Sequence, residues 1–308
     1  MTAIERAAAI LEMRAHGSVT RGGSLAPLTS YRLGGSAGVL LEAGSGEDLV
    51  GLSEAIAETG VDLLVIGRGS NMLVADAGFD GIAVRLGGGF RWSEVDGTVL
   101  RAGAAMPLPA LATIAMQHGL TGFEFGVAIP ASLGGAIRMN AGAHAHEVSD
   151  RCVSAEVFLI TEGRTAVIDA VDAGFGYRTS AFPVGSIVTA GTFALAPDDA
   201  ESITARMEAA KEWRRSTQPI NLPNGGSVFK NPPGDHAARL IEEVCGRGTS
   251  LGGARISEIH ANFIVASDGA RASDVYGLMR RIQRSVADAT GIMLEPELKL
   301  VGDFGEDL

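Results

Sequence analysis

Gly67-Arg68-Gly69-Ser70-Asn71 follows directly on an apolar run, Leu63-Leu64-Val65-Ile66. Two glycines two residues apart permit a turn whose successive backbone N–H groups aim at one anion, and the Ser70 hydroxyl adds a donor. The chemistry this suits is phosphate or diphosphate binding; an ordinary strand-to-loop turn is the plainer alternative. A dinucleotide fingerprint of the Rossmann kind needs a third glycine and a helix opening inside the turn, whereas Met72-Leu73-Val74 continue as an apolar stretch. No Gly-Lys-Ser/Thr follows, so it is not a Walker loop. A second run, Ile129-Pro130-Ala131-Ser132-Leu133-Gly134-Gly135-Ala136 and then Asn140-Ala141-Gly142-Ala143, is built of small residues. Such a run lets backbone approach a flat or charged ligand, or packs a tight helix or turn.

Three further motifs carry side chains with chemical potential. Gly176-Tyr177-Arg178-Thr179-Ser180 sets one arginine among turn residues between hydrophobic segments. Gly225-Gly226-Ser227-Val228-Phe229-Lys230-Asn231-Pro232-Pro233 presents a serine after two glycines. It is either a turn serine or a hydroxyl offered to a pocket; without a Gly-x-Ser-x-Gly elbow it is not read as a hydrolase nucleophile. Leu294-Glu295-Pro296-Glu297-Leu298 places Glu297 at the start of an apolar strand, where a carboxylate is costly unless it has a partner or a role.

The elements that must position these residues read as a mixed α+β chain. Residues 1–14 form an amphipathic helix. A strand at 40–42, a helix at 48–59 and strands at 62–66 and 81–86 make a small unit with the first glycine turn at a strand end. Residues 90–102 read as a hairpin turning at Asp96-Gly97, and 108–118 as a helix closed by Gly119. A second hairpin, 151–160 with 165–169, turns at Glu162-Gly163, and a strand covers 187–195. A helix at 200–215 runs into the proline-rich polar stretch 217–226, the expected domain boundary. Beyond it come a helix at 237–244, strands at 254–257 and 262–265, a long helix at 273–290 and a last strand at 297–301. No repeat of 20–50 residues occurs.

Composition narrows the function classes. The 308 residues, 46% of them hydrophobic, suffice for two or three domains. The net charge of −11 and the lack of any Lys/Arg run argue against nucleic acid as a partner, with Arg280, Arg281 and Arg284 read as a solvated helix face. Buried arginines can still reverse the local potential for an anionic ligand. Cys152 and Cys245 have no companions at ligand spacing and read as small buried hydrophobes, so no metal site is expected. The N-terminus lacks the apolar core of a signal peptide, and no run of about 18 apolar residues is present, which favours a cytoplasmic protein without a membrane span. Glycine, at 42 residues, is roughly twice its ordinary share and is clustered.

The five motifs, in this order and spacing, resemble the UDP-N-acetylenolpyruvoylglucosamine reductase family, in its shorter branch (type II). Thr29-Ser30-Tyr31-Arg32-Leu33-Gly34-Gly35, Gly252-Gly253-Ala254-Arg255-Ile256-Ser257 and His260-Ala261-Asn262-Phe263-Ile264 match as well, so the similarity covers nearly the whole chain. The segment 182–195 is too compact for the tyrosine-bearing insertion of the longer branch. The resemblance implies an FAD-binding module of the vanillyl-alcohol-oxidase (PCMH) type in two subdomains, residues 1–87 and 88–215, and a C-terminal α+β substrate domain, residues 216–308. It implies non-covalent FAD, NADPH as co-substrate, a UDP-sugar enolpyruvyl ether as the small-molecule substrate, UDP-N-acetylmuramate as product in peptidoglycan precursor synthesis, and no obligate protein partner. Arg178, Ser227 and Glu297 match the family's catalytic residues. Gly67, Arg68, Gly69, Ser70 and Asn71, with Pro130, Ser132, Gly134 and Gly135, would hold the FAD diphosphate. Tyr177, Arg215, Lys230 and Asn231 are candidates for the substrate.

The chain departs from the family pattern at a few positions. Ala128 and Ala131 stand where glycine is usual; a Cβ there costs about 1 kcal/mol if the backbone needs positive φ. Ser132 replaces a common threonine and His146 a smaller residue. Two rivals stay open: an oxidase of the same cofactor architecture with flavin attached through His144 or His146, and a nucleotide-binding regulator without turnover.

Overall fold

The computed structural model describes residues 1–305, which form two compact units. The first comprises Met1–Gly22, Gly38–Arg68 and Asp80–Trp213; the second comprises Gly23–Ala37, Gly69–Phe79 and the chain from Arg214 onward.

The first unit opens with α1 (Ala3–Arg14), whose N-terminus is closed by a Thr2/Glu5 capping box. α2 (Gly46–Thr59) starts at Ser45 and ends on Gly60 in the left-handed region. These helices belong to a core shared with a four-stranded sheet ordered Ser18–Arg21, Ala37–Ala43, Phe79–Leu86, Asp62–Ile66. Asp62–Ile66 and Phe79–Leu86 run parallel, which leaves the Gly67 turn at the carboxyl end of a half-buried strand. Asp48 is almost fully buried in this core. Burial alone would raise its pKa, but N–H groups of His16, Gly44, Gly17 and Ser45 converge on the carboxylate and bring it below the usual range.

A second core in the same unit lies on an antiparallel sheet ordered Arg164–Asp169, Cys152–Leu159, Ser186–Ala194, Val99–Gly103, Ser93–Asp96. Two helices, α3 (Leu108–Gln117) and α4 (Leu133–Arg138), contribute to it. α4 lies close on the sheet because both surfaces are small at the contact. A Cβ on Gly134 would fall 2.9 Å from Ala104 Cβ, and one on Gly191 2.6 Å from Ile137 Cδ1. α5 (Ala200–Thr217) follows.

The second unit packs α6 (Ala237–Val244) and α7 (Ala272–Thr290) with a three-stranded sheet, Ser250–Leu251, Ala254–Ile256 and Ile264–Ala266. Asp76 receives the first N–H groups of α7, from Ala272 and Ser273, at 2.9 and 3.1 Å. Residues 23–37 join this core through Tyr31, which is 1% exposed and donates its hydroxyl to the Ile264 carbonyl.

The last strand is shorter than the sequence pattern suggests. It spans Lys299–Val301, parallel to Met72–Val74, so Glu297 lies before it. Pro296 forms an isolated antiparallel bridge with Phe229, and a proline has no N–H to extend a ladder. The strand expected at 262–265 likewise begins at Ile264, because Asn262 turns its side chain to backbone elsewhere. Cys245 is half-buried rather than buried, while Cys152 is enclosed and its thiol is pushed up to about 11 by burial.

Candidate active site

In the first unit the two glycine-rich turns meet. Gly67 ends the strand Asp62–Ile66, and a Cβ built on it would lie 2.3 Å from Ser132 Oγ. Ser132 is the N-cap of α4, and its Oγ accepts the Gly135 N–H at 3.4 Å. Pro130 is exposed just ahead of it, and Arg68 is exposed beyond Gly67. The floor between the turns therefore holds backbone and one hydroxyl. That composition suits a diphosphate. Neither Ala128 nor Ala131 has positive φ; Ala128 closes a short 3-10 turn, Glu124–Ala128. Alanine at these positions carries no left-handed penalty.

Arg178 also lies in the first unit, at the tip of a tight loop closed by Gly176 N to Thr179 O at 3.1 Å and Thr179 N to Gly176 O at 3.2 Å. Its backbone is left-handed, φ +56. Its guanidinium donates to the Gly142 carbonyl at 2.9 Å and lies 5.1 Å from the Tyr177 ring centroid. Tyr177 is 52% exposed. His144 stacks edge-on with Trp213, and the exposed His146 lies 3.3 Å from Asp150.

In the second unit Ser227 and Glu297 lie on adjacent segments. The Phe229–Pro296 bridge is flanked by Glu297 N to Val228 O at 2.8 Å and Lys230 N to Glu295 O at 2.9 Å. The Ser227 segment is fixed on its other side by Asn262, which is 4% exposed. Its Oδ1 accepts Phe229 N–H at 3.0 Å and its Nδ2 donates to Phe229 O at 2.7 Å. The end of the first glycine turn reaches the same place. Asn71 Nδ2 donates to the Glu297 carbonyl at 3.0 Å, and a Cβ on Gly226 would face Ser70 O at 3.9 Å. Gly69 must be glycine, with φ +58 and the Leu28 carbonyl 2.0 Å from where a Cβ would sit.

The candidates for the substrate are more dispersed. Lys230 pairs with Glu295 at 2.6 Å, and Asn231 accepts the Ala237 N–H at the start of α6. Arg215 is exposed. Its neighbour Arg214, which the sequence motifs do not single out, has a buried Nε without a hydrogen-bond partner among the described residues. Burial lowers its pKa.

Comparison with known proteins places these features. Residues 37–169 match the model of an FAD binding domain, and residues 218–301 match the UDP-N-acetylenolpyruvoylglucosamine reductase C-terminal domain. The chain is 42% identical to the UDP-N-acetylenolpyruvoylglucosamine reductase of Anaeromyxobacter sp. (strain Fw109-5), over 97% of this chain and 93% of that one. The chain belongs to the UDP-N-acetylenolpyruvoylglucosamine reductase family. The family's enzyme from Azorhizobium caulinodans is 40% identical over 96% of this chain and 95% of its own. The crystal structure of the enzyme from Thermus caldophilus superposes with a TM-score of 0.81 at 35% identity, covering 93% of this chain and 99% of that one. Membership makes the chain an oxidoreductase with an FAD-binding domain and a C-terminal α+β domain.

The family's C-terminal model begins at residue 218, so the facing Ser227 and Glu297 segments fall within it. The Gly67 and Ser132 turns fall within the FAD-domain match. No described helix is long and apolar enough to cross a membrane.

Proposed function

We propose that the chain uses NADPH and non-covalent FAD to reduce UDP-N-acetylglucosamine enolpyruvate to UDP-N-acetylmuramate, a step of peptidoglycan precursor synthesis, in the cytoplasm. The observation that carries the reading is the pairing of the Ser227 and Glu297 segments, in a chain whose length is covered by relatives bearing this activity in their names. In this reading residues 1–87 and 88–215 serve the flavin and 216–308 the substrate, with 23–37 and 69–79 packed into the latter unit.

When bound, FAD supplies the hydride that it has taken from NADPH. Addition at the vinyl carbon remote from the carboxylate leaves negative charge on the carbon that bears it, delocalised as an enolate. A guanidinium held in advance at that carboxylate stabilises the charge as it develops, which is the role assigned to Arg178. Ser227 gives its hydroxyl proton to the basic carbon and so completes the saturated ether. Glu297 orients or polarises that centre. Gly67, Gly69, Ser70, Pro130, Ser132, Gly134 and Gly135, with Arg68 and Asn71, hold the diphosphate. Tyr177, Arg215, Lys230 and Asn231 serve the UDP-sugar, joined by Arg214.

Splitting the reaction tests the assignment. Ser227→Ala is expected to let NADPH bleach the flavin absorbance at the wild-type rate and to block its return on adding the enolpyruvyl substrate. Unchanged return would remove Ser227 from the mechanism.

A further inference from the structure

We infer that Asn140 is the positioning residue for Arg178, holding the arginine's loop in register through a single side-chain hydrogen bond to Gly176. The inference rests on the role proposed for Arg178.

Asn140 is wholly buried, 0% exposed, and left-handed, with φ +42. A buried asparagine is retained at such a point only if its amide is satisfied. Both ends are used: Oδ1 accepts the Ser149 N–H at 2.9 Å, and Nδ2 donates to the Gly176 carbonyl at 3.2 Å. The Gly176 carbonyl also accepts the Thr179 N–H that closes the arginine loop. Asn140 thus grips the loop at its base, two residues from Arg178. The contacts on either side follow the same line. Ser180 Oγ donates to the Arg138 carbonyl at 2.7 Å, and Arg178 itself donates to the Gly142 carbonyl at 2.9 Å. Residues 138, 140 and 142 therefore staple residues 180, 176 and 178. Of the three staples only the central one is made by a fully enclosed side chain. A left-handed arginine backbone is not self-stabilising and must be held from outside.

The amide offers a selective test. Asn140→Asp keeps the shape and the oxygen that accepts from Ser149. When ionised it has no donor for Gly176 and sets a negative charge against that carbonyl; when protonated it can donate an O–H in place of the lost N–H. Burial raises the pKa of such a carboxyl. The full-length, FAD-loaded variant is reduced anaerobically and mixed with the enolpyruvyl UDP-sugar, and the return of flavin absorbance is followed. At about pH 8 the return is expected to be about 100-fold slower than in the wild type, the size of a displacement near 1 Å. The deficit should shrink as the pH falls toward about 6 and the carboxyl protonates. Bleaching by NADPH should be unaffected, and exchange at the Ser149 amide should stay slow. Asn140→Ser, which cannot span both partners, should slow the return at every pH and serves if the aspartate variant does not fold. Wild-type return in both variants, a deficit in Asn140→Asp that is the same at all pH values, or an equal loss of bleaching overturns the inference. Arg178→Ala separates the two claims. If it returns at the wild-type rate, the role of Arg178 fails and the inference with it; if it is slow while the Asn140 variants are not, only the inference fails.

Discussion

Gly67→Ala should act through Ser132 alone. The new Cβ would fall 2.3 Å from Ser132 Oγ and 3.5 Å from Ser132 Cβ. The first distance is about 1 Å too short for a carbon–oxygen contact, while the second is an ordinary one. Gly67 is not in the left-handed region, so no backbone strain is added. The cheapest relief is rotation of the Ser132 hydroxyl away from the Gly135 N–H, which forfeits the cap of α4 at about 1 kcal/mol. Ser132→Ala loses the same cap and costs the same. The double variant should then also cost about 1 kcal/mol, not about 2, a coupling near −1 kcal/mol. Denaturant unfolding of the four flavin-loaded proteins gives the cycle, and each single variant should melt roughly 2–4 °C lower. FAD titration should show each single variant weakened, with no further loss in the double. Additive costs, or a Gly67→Ala protein identical to wild type, would refute the claim that the two turns share one floor.

Other perturbations follow from the same packing. Glu124 is 13% exposed; burial would raise its pKa, but the Thr121 hydroxyl, backbone N–H groups and Arg206 bring it down to about 2. A carboxylate depressed in the folded state contributes stability that is complete above its unfolded value, near 4.3, and is lost as pH falls through the folded one. The stability gap between wild type and Glu124→Gln, on the order of 2 kcal/mol near neutrality, should therefore close between about pH 4 and pH 2 in acid denaturation curves. Asp48→Asn keeps the shape but replaces a charged acceptor of four N–H groups with a neutral one, and should lower the denaturant midpoint by about 2 kcal/mol equivalent, without changing the flavin spectrum. Asn262→Ala orphans both the N–H and the C=O of Phe229 and should cost about 3 kcal/mol in thermal unfolding, with turnover falling through the displaced Ser227 segment.

Local pattern made much of this fold legible. Asp62–Ile66 is apolar and bounded by turn signals, and Ala237–Val244 carries a clear amphipathic stripe; both occur where the pattern places them. Ser18–Arg21 gave no such signal, since a mostly exposed edge strand of Ser, Val, Thr and Arg has no apolar face to read. The six residues of α4 include two glycines and fit a small-residue turn as well as a tight helix; its stability comes from the sheet beneath it. The placement of residues 23–37 and 69–79 with the C-terminal core depends on contacts such as Tyr31 to Ile264, which no local window contains.

The candidate site divides along the same line. Arg178, Ser227 and Glu297 stood out by motif. The residues that hold them lie in sequence motifs too, but their roles do not show there: Asn140 and Asn262 are single amides whose partners lie more than 30 residues away in sequence. The sequence pattern starts a strand at Glu297, whereas Pro296 interrupts the pairing and leaves the Glu297 backbone to Val228 and Asn71.

The most direct measurement is the visible spectrum of the purified protein, followed anaerobically through two additions. NADPH should bleach a flavin that acid releases from the protein. The enolpyruvyl UDP-sugar should then restore the absorbance, with one UDP-N-acetylmuramate formed per flavin. A protein that stays bleached after substrate, or whose yellow colour stays in the acid pellet, would contradict the account.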